Sequence, residues 1–167
     1  MKKITSLFTT LLVLVMTITG CSAAPAEINS KTEAQRIIMQ IDNPIMTVDS
    51  TEKEIDEGRS TTPVIRDERT LTPIRAAAEA MGASVAWEEE SQTTALAKGD
   101  TVILFTIGSN IAYLNEERQN LDTQPMILNG RTMLPVRFIA ENFGYDVEWN
   151  GASQTITIKK ANQAQNN

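Results

Sequence analysis

Residues 129–150 read NGRTMLPVRFIAENFGYDVEWN, and that run decides what the chain builds. Asn129-Gly130 is a hairpin-turn dipeptide, because both residues tolerate the positive φ of a tight two-residue turn. Pro135 opens a segment in which Val136, Ile139, Ala140 and Phe143 recur at i, i+3, i+4 and i+7, one face of a helix of about three turns. A proline suits the first helical turn, where its missing N–H costs nothing. Gly144 stops the helix in the left-handed conformation. Tyr145, Val147 and Trp149 then alternate with Asp146, Glu148 and Asn150, the pattern of a half-buried strand. Thr155 to Lys160 is a last strand. Upstream, Thr101 to Ile107 is a β-branched and aromatic run. Gly108-Ser109-Asn110 turns it, Ile111 to Asn115 returns, and Met126 to Leu128 is a further short strand.

The same text occurs earlier in the chain. Residues 63–96 align with 125–158 at a constant shift of 62, with about 14 identities in about 34 positions. Arg36 to Asp56 aligns with Val102 to Asp122 at a shift of 66, so the first copy carries about four extra residues within Glu57 to Thr62. The expected fold is α+β: two tandem repeats, at 34–99 and 100–160, each an antiparallel sheet of about five strands wrapped around one helix. A helix on one antiparallel sheet is the simplest way to bury both apolar faces. Each repeat has about 60 residues, small for independent folding, so the two are expected to pack on each other.

The motif Arg-Thr, Pro, Arg, Glu, Gly, Trp recurs in order with fixed spacing, as Arg69, Pro73, Arg75, Glu79, Gly82 and Trp87, and as Arg131, Pro135, Arg137, Glu141, Gly144 and Trp149. On these residues the chain resembles the copper amine oxidase N-terminal-like domain, or stalk domain, in two copies over residues 36–160. The resemblance implies a five-stranded antiparallel sheet around one helix. It also implies a non-catalytic appendage of exported and cell-surface proteins of Gram-positive bacteria. The first copy departs from the motif at Asp67-Glu68, where the second has Asn129-Gly130, and its helix is richer in alanine.

Composition narrows the function. The chain has 167 residues, no histidine, one cysteine and a formal charge of −6. Without histidine there is no Ser–His or Cys–His catalysis and no imidazole metal site. One cysteine allows neither an intrachain disulfide nor a thiolate zinc cluster. The acid excess argues against a nucleic-acid partner. Residues 1–20 have Lys2 and Lys3, then an apolar stretch from Leu7 to Ile18, and read as an export signal. The sole cysteine, Cys21, follows Ile18-Thr19-Gly20, which resembles a bacterial lipobox: Cys21 is then the lipidation site and the membrane anchor. Residues 21–33 read as a tether, and 161–167 as a disordered tail.

The recurring side chains have structural readings. Trp87 and Trp149 share strand parity with Val85 and Val147, which places them on the helix side, in the core. Arg75 and Arg137 stand four residues before Glu79 and Glu141, the spacing of helical ion pairs. Each arginine sits in a first helical turn, where the helix dipole opposes it, so partial burial against backbone carbonyls is expected. Asp56 and Asp122 recur and read as turn formers. The runs Glu88-Glu89-Glu90 and Glu116-Glu117 lack the spacing of a calcium loop. No catalytic residue, cofactor or metal is expected. The reading is a lipid-anchored extracytoplasmic protein of the cell envelope that binds or scaffolds an exported protein or a wall polymer. The alternative is a receptor or inhibitor that holds its ligand in a groove between the repeats.

Overall fold

Three antiparallel strands open the chain: β1 (Arg36–Gln40), β2 (Ile45–Val48) and β3 (Thr51–Glu54). The hairpin β4 (Val64–Arg66) and β5 (Arg69–Pro73) follows, then α1 (Ile74–Ala80), β6 (Ser84–Glu88) and β7 (Thr93–Lys98). The second repeat has the same order: β8 (Thr101–Thr106), β9 (Ile111–Leu114), β10 (Glu117–Asn120), β11 (Met126–Leu128), β12 (Arg131–Pro135), α2 (Val136–Asn142), β13 (Tyr145–Asn150) and β14 (Thr155–Lys160). This computed structural model describes residues 33–162. Cys21, the export segment, all of the tether but Glu33, and residues 163–167 of the tail lie outside them.

The antiparallel α+β class is as expected, but the division of strands between sheets is not. One five-stranded sheet runs β13-β14-β1-β2-β3 and the other β10-β9-β8-β7-β6, while β11-β12-β5-β4 form a four-stranded sheet. Every sheet therefore contains strands of both repeats. The expectation of one sheet per repeat is corrected: the first three strands of each repeat pair with the last two of the other. The described residues belong to one compact unit instead of two domains. The cause lies in the connections. A two-residue turn at Gly99-Asp100 joins β7 directly to β8, so these strands pair as a hairpin across the repeat boundary.

The exchange is two-fold symmetric. β5 and β12 pair as Met133 with Pro73, Leu134 with Thr72 and Pro135 with Leu71. Thr72 and Leu134 are equivalent positions of the two repeats and face one another, so a local two-fold axis passes between them.

One continuous apolar core fills the space inside. Ile37, Met39 and Met46 come from the first three strands, Leu96, Ile103 and Phe105 from β7 and β8, and Ile139, Ile156 and Ile158 from the end of the chain. Phe138 meets Phe105 edge to face at 5.7 Å between centroids, an aromatic contact between the second helix and the sheet shared by both repeats. Both helices have seven residues, two turns instead of the expected three. Gly82 and Gly144 end them with φ of +84° and +81°, as expected. In the first helix Ala83 N–H reaches back to Ala78 O at 2.9 Å, a six-residue closure that needs the left-handed Gly82.

Candidate functional site

Two surface grooves are related by the local two-fold. The first, about 700 Å³, lies among Val85 and Trp87 on β6, Ile127 on β11, Arg131 on β12 and the end of β3. The second, about 580 Å³, lies among Val147 and Trp149 on β13, Ile65 on β4 and Arg69 on β5. Each groove is built by both repeats. Its tryptophan and helix arginine come from one, and its isoleucine and the Arg69 or Arg131 guanidinium from the other. Ile65 is 47% exposed and Ile127 45%, large apolar side chains left at the surface in corresponding places, and Trp149 is 41% exposed beside Ile65. Recurrence at equivalent sites sets them apart from the scattered apolar exposure normal for a folded surface.

The tryptophans are thus groove residues, a correction to the core reading. Trp149 is exposed and Trp87 is half-buried. Parity was not the error, since Val85 and Val147 do pack on the core. The helix is too short. Seven residues rise about 10 Å, and Tyr145 to Trp149 spans about 13 Å of strand, so the helix covers Tyr145 and Val147 and leaves the indole beyond its end. In the first groove the indole is held from the side, where Trp87 Nε1–H donates to Glu89 Oε2 at 2.6 Å.

Arg75 and Arg137 guard strand edges. Lys160 N–H bonds Gln35 O, so alternation along β14 leaves Val147 and Trp149, which face Ile158 and Ile156, with their backbone N–H and C=O turned away from the sheet. Arg137 Nη1 donates to Val147 O at 2.8 Å and to Glu141 Oε1 at 3.2 Å. Arg75 Nη1 donates to Val85 O at 3.4 Å and stands 3.8 Å from Glu79 Oε1. The carbonyl partner is as expected and the glutamate is secondary. The expected burial is not found, since the two side chains are 62% and 51% exposed. The arginine is retained against the helix dipole because it occupies a carbonyl that an edge strand would otherwise offer to another chain.

Arg69 and Arg131 form ion pairs that cross between the repeats. Arg69 Nε donates to Asp122 Oδ2 at 2.9 Å, and Arg131 Nε to Asp56 Oδ1 at 2.5 Å. Asp56 opens a turn as expected, with Arg59 N–H donating to its carbonyl at 3.1 Å, but the carboxylates of Asp56 and Asp122 have a further role: each is the partner of an arginine in the other repeat. Their recurrence alongside Arg69 and Arg131 was the available signal. Pro73 and Pro135 end β5 and β12 and stand at the N-caps of the helices.

A second charged cluster escaped the sequence reading. Lys98 and Lys160, equivalent at the shift of 62, both reach Glu33 Oε2, at 3.0 and 2.8 Å. The Lys160 hydrogen bond holds the Glu33 carboxyl below its ordinary value of 4.5; burial opposes it, and the Lys98 hydrogen bond and the charges of both lysines add to the lowering. Tyr145 lies beside them, its hydroxyl donating to Ala34 O at 3.0 Å and its ring 4.7 Å from Lys98 Nζ. Burial, with the Glu33 and Asp49 charges behind it, pushes the Tyr145 hydroxyl up to about 12. Among the described residues no group of three histidine, cysteine, aspartate or glutamate side chains is arranged to hold a metal ion.

Residues 59–158 match the family model described as the copper amine oxidase N-terminal domain. A curated relative from Brevibacillus choshinensis, named "Protease inhibitor", is 27% identical over 94 residues, which is 56% of this chain and 29% of that protein. The chain thus spans less than a third of the relative's length.

Proposed function

Because the chain belongs to the copper amine oxidase N-terminal domain family, we propose that it is a non-catalytic binding module of the cell envelope, anchored through lipid on Cys21. Its partner is an exported protein or a wall polymer, held in the paired grooves. The observation that carries this reading is the recurrence of a tryptophan beside an exposed isoleucine in both grooves, half-buried Trp87 with Ile127 and exposed Trp149 with Ile65. Photo-crosslinking residues placed at Ile127 and at Ile65 in the envelope-bound chain should give one common product. A crosslinker at Tyr113, exposed on β9 outside both grooves, should not. A product equally strong from Tyr113 would sink the reading. Anchoring is tested separately: a clickable fatty acid should label the natural chain and not Cys21→Ala.

The name of the Brevibacillus relative favours a second reading, that the groove partner is a protease and the chain its inhibitor. Stoichiometric loss of activity in one of a set of extracellular proteases, reversed by substitutions at Ile127 or Ile65, would select it over the scaffolding role.

A further inference from the structure

The two grooves differ in the polar atoms they leave unspent. In the first, buried Asp56 gives Oδ1 to Arg131, while its Oδ2 has no partner among the described residues; Thr94 Oγ1, buried in the same lining, has none either. The second groove has an exposed Asp122 and an apolar Ile156 at these positions. The edge of β6 is also less covered than that of β13, since Arg75 meets Val85 O at 3.4 Å and Arg137 meets Val147 O at 2.8 Å. Charge separates them further. Beyond the pairs Arg75–Glu79 and Arg131–Asp56, the lining of the first groove keeps Glu54, Glu57 and Glu89 against Lys53. The chain as a whole carries −6, which steers a basic partner toward it.

We propose that the first groove takes an extended, lysine- or arginine-bearing segment of a partner protein, laid as an added strand along β6; this rests on the binding-module reading above. The segment pairs with the outward N–H and C=O groups of Val85 and Trp87 and displaces the long Arg75 contact. Its basic side chains meet the acidic lining and the Trp87 indole. In such strand addition the main-chain bonds give affinity and the side-chain pockets give specificity. A cation against an indole and carboxylates supplies that specificity here.

The test uses the full chain carrying Trp149→Phe, which leaves Trp87 as the only indole and touches only the second groove. The probes are a short peptide of alternating threonine and lysine, the same peptide with glutamate for lysine, and the lysine peptide N-methylated along one edge. The lysine peptide is expected to shift the Trp87 emission saturably. The glutamate peptide should bind at least about tenfold more weakly, and so should the N-methylated one. Glu57→Gln, an exposed position, should weaken the lysine peptide about threefold. Equal binding of the N-methylated peptide overturns strand addition, and equal binding of the glutamate peptide overturns the basic occupant. No emission change with any peptide overturns both. If the crosslink from Ile127 persists while the peptides fail, the binding-module reading stands and the strand-addition proposal falls. If both are lost, both fall.

Discussion

Glu33 is the residue on which the two repeats converge. It stands outside the symmetric pattern, yet it receives a lysine from each copy, and its aliphatic stem lies where a side chain on Gly82 would be, with Cγ 2.8 Å from that position. A carboxyl held below its ordinary value in the folded state stabilises the fold at neutral pH. That contribution is present above about 4.5 and is lost as pH falls through the lowered value. The melting temperature should therefore drop as pH falls below about 4.5, in part through Glu33. Glu33→Gln should lower it at pH 7 by a few degrees, a loss of about 1 kcal/mol for a side chain partly screened by solvent. The variant should also flatten the acid slope, and thermal melts at pH 3 to 7 measure both. Glu33 was not legible beforehand. It sits at the end of what reads as a tether, and nothing local shows that Lys98 and Lys160 reach it.

At the scale of elements, the two hairpin turns share one geometry with different residues. Asn129-Gly130 has φ of +52° and +73°, and Asp67-Glu68 has +49° and +60°. The first copy forces a glutamate into the left-handed region, at a cost of about 1–2 kcal/mol. Glu68→Gly relieves that strain but loses more chain entropy on folding. The net gain should be about 0.5–1 kcal/mol, read as a higher denaturant midpoint with an unchanged slope. The strands, the glycine stops and the hairpins were legible because their signals are local. Asn-Gly fixes a turn, alternation fixes a strand and Gly144 fixes a helix end. The helix length was not, because Phe143 continues the apolar face one position past the last helical residue, Asn142.

For the whole molecule, the repeat was legible and the exchange of strands was not. An internal duplication has the same sequence signature whether each copy closes on itself or on its neighbour. The only hint was short linkage at Gly99-Asp100, which leaves no length for β8 to reach a separate sheet. The exchange changes what the halves can do. Residues 34–99 and 100–160 made separately should each lack native structure, because β1 needs β14 and β7 needs β8. Mixed together they should regain the native circular dichroism as a 1:1 complex, seen by size-exclusion chromatography. A cooperative thermal transition in either half alone would contradict the shared sheets.

The sheet order also sets a sequence of events in time. Strands β6 to β10 are consecutive in the chain and pair neighbour to neighbour, so that sheet can form as soon as residues 84–120 are free. The other five-stranded sheet joins β1 to β14, partners about 120 residues apart, and its loop-closure entropy delays it. Pulse-labelled hydrogen exchange during refolding should protect the amides of Leu96 and Ile103 before those of Ile37 and Met39. A chain emerging amino end first would then hold β1 with only β2 beside it until its last strand arrived, a growing molecule whose first-made strand is the last to be closed in on both sides.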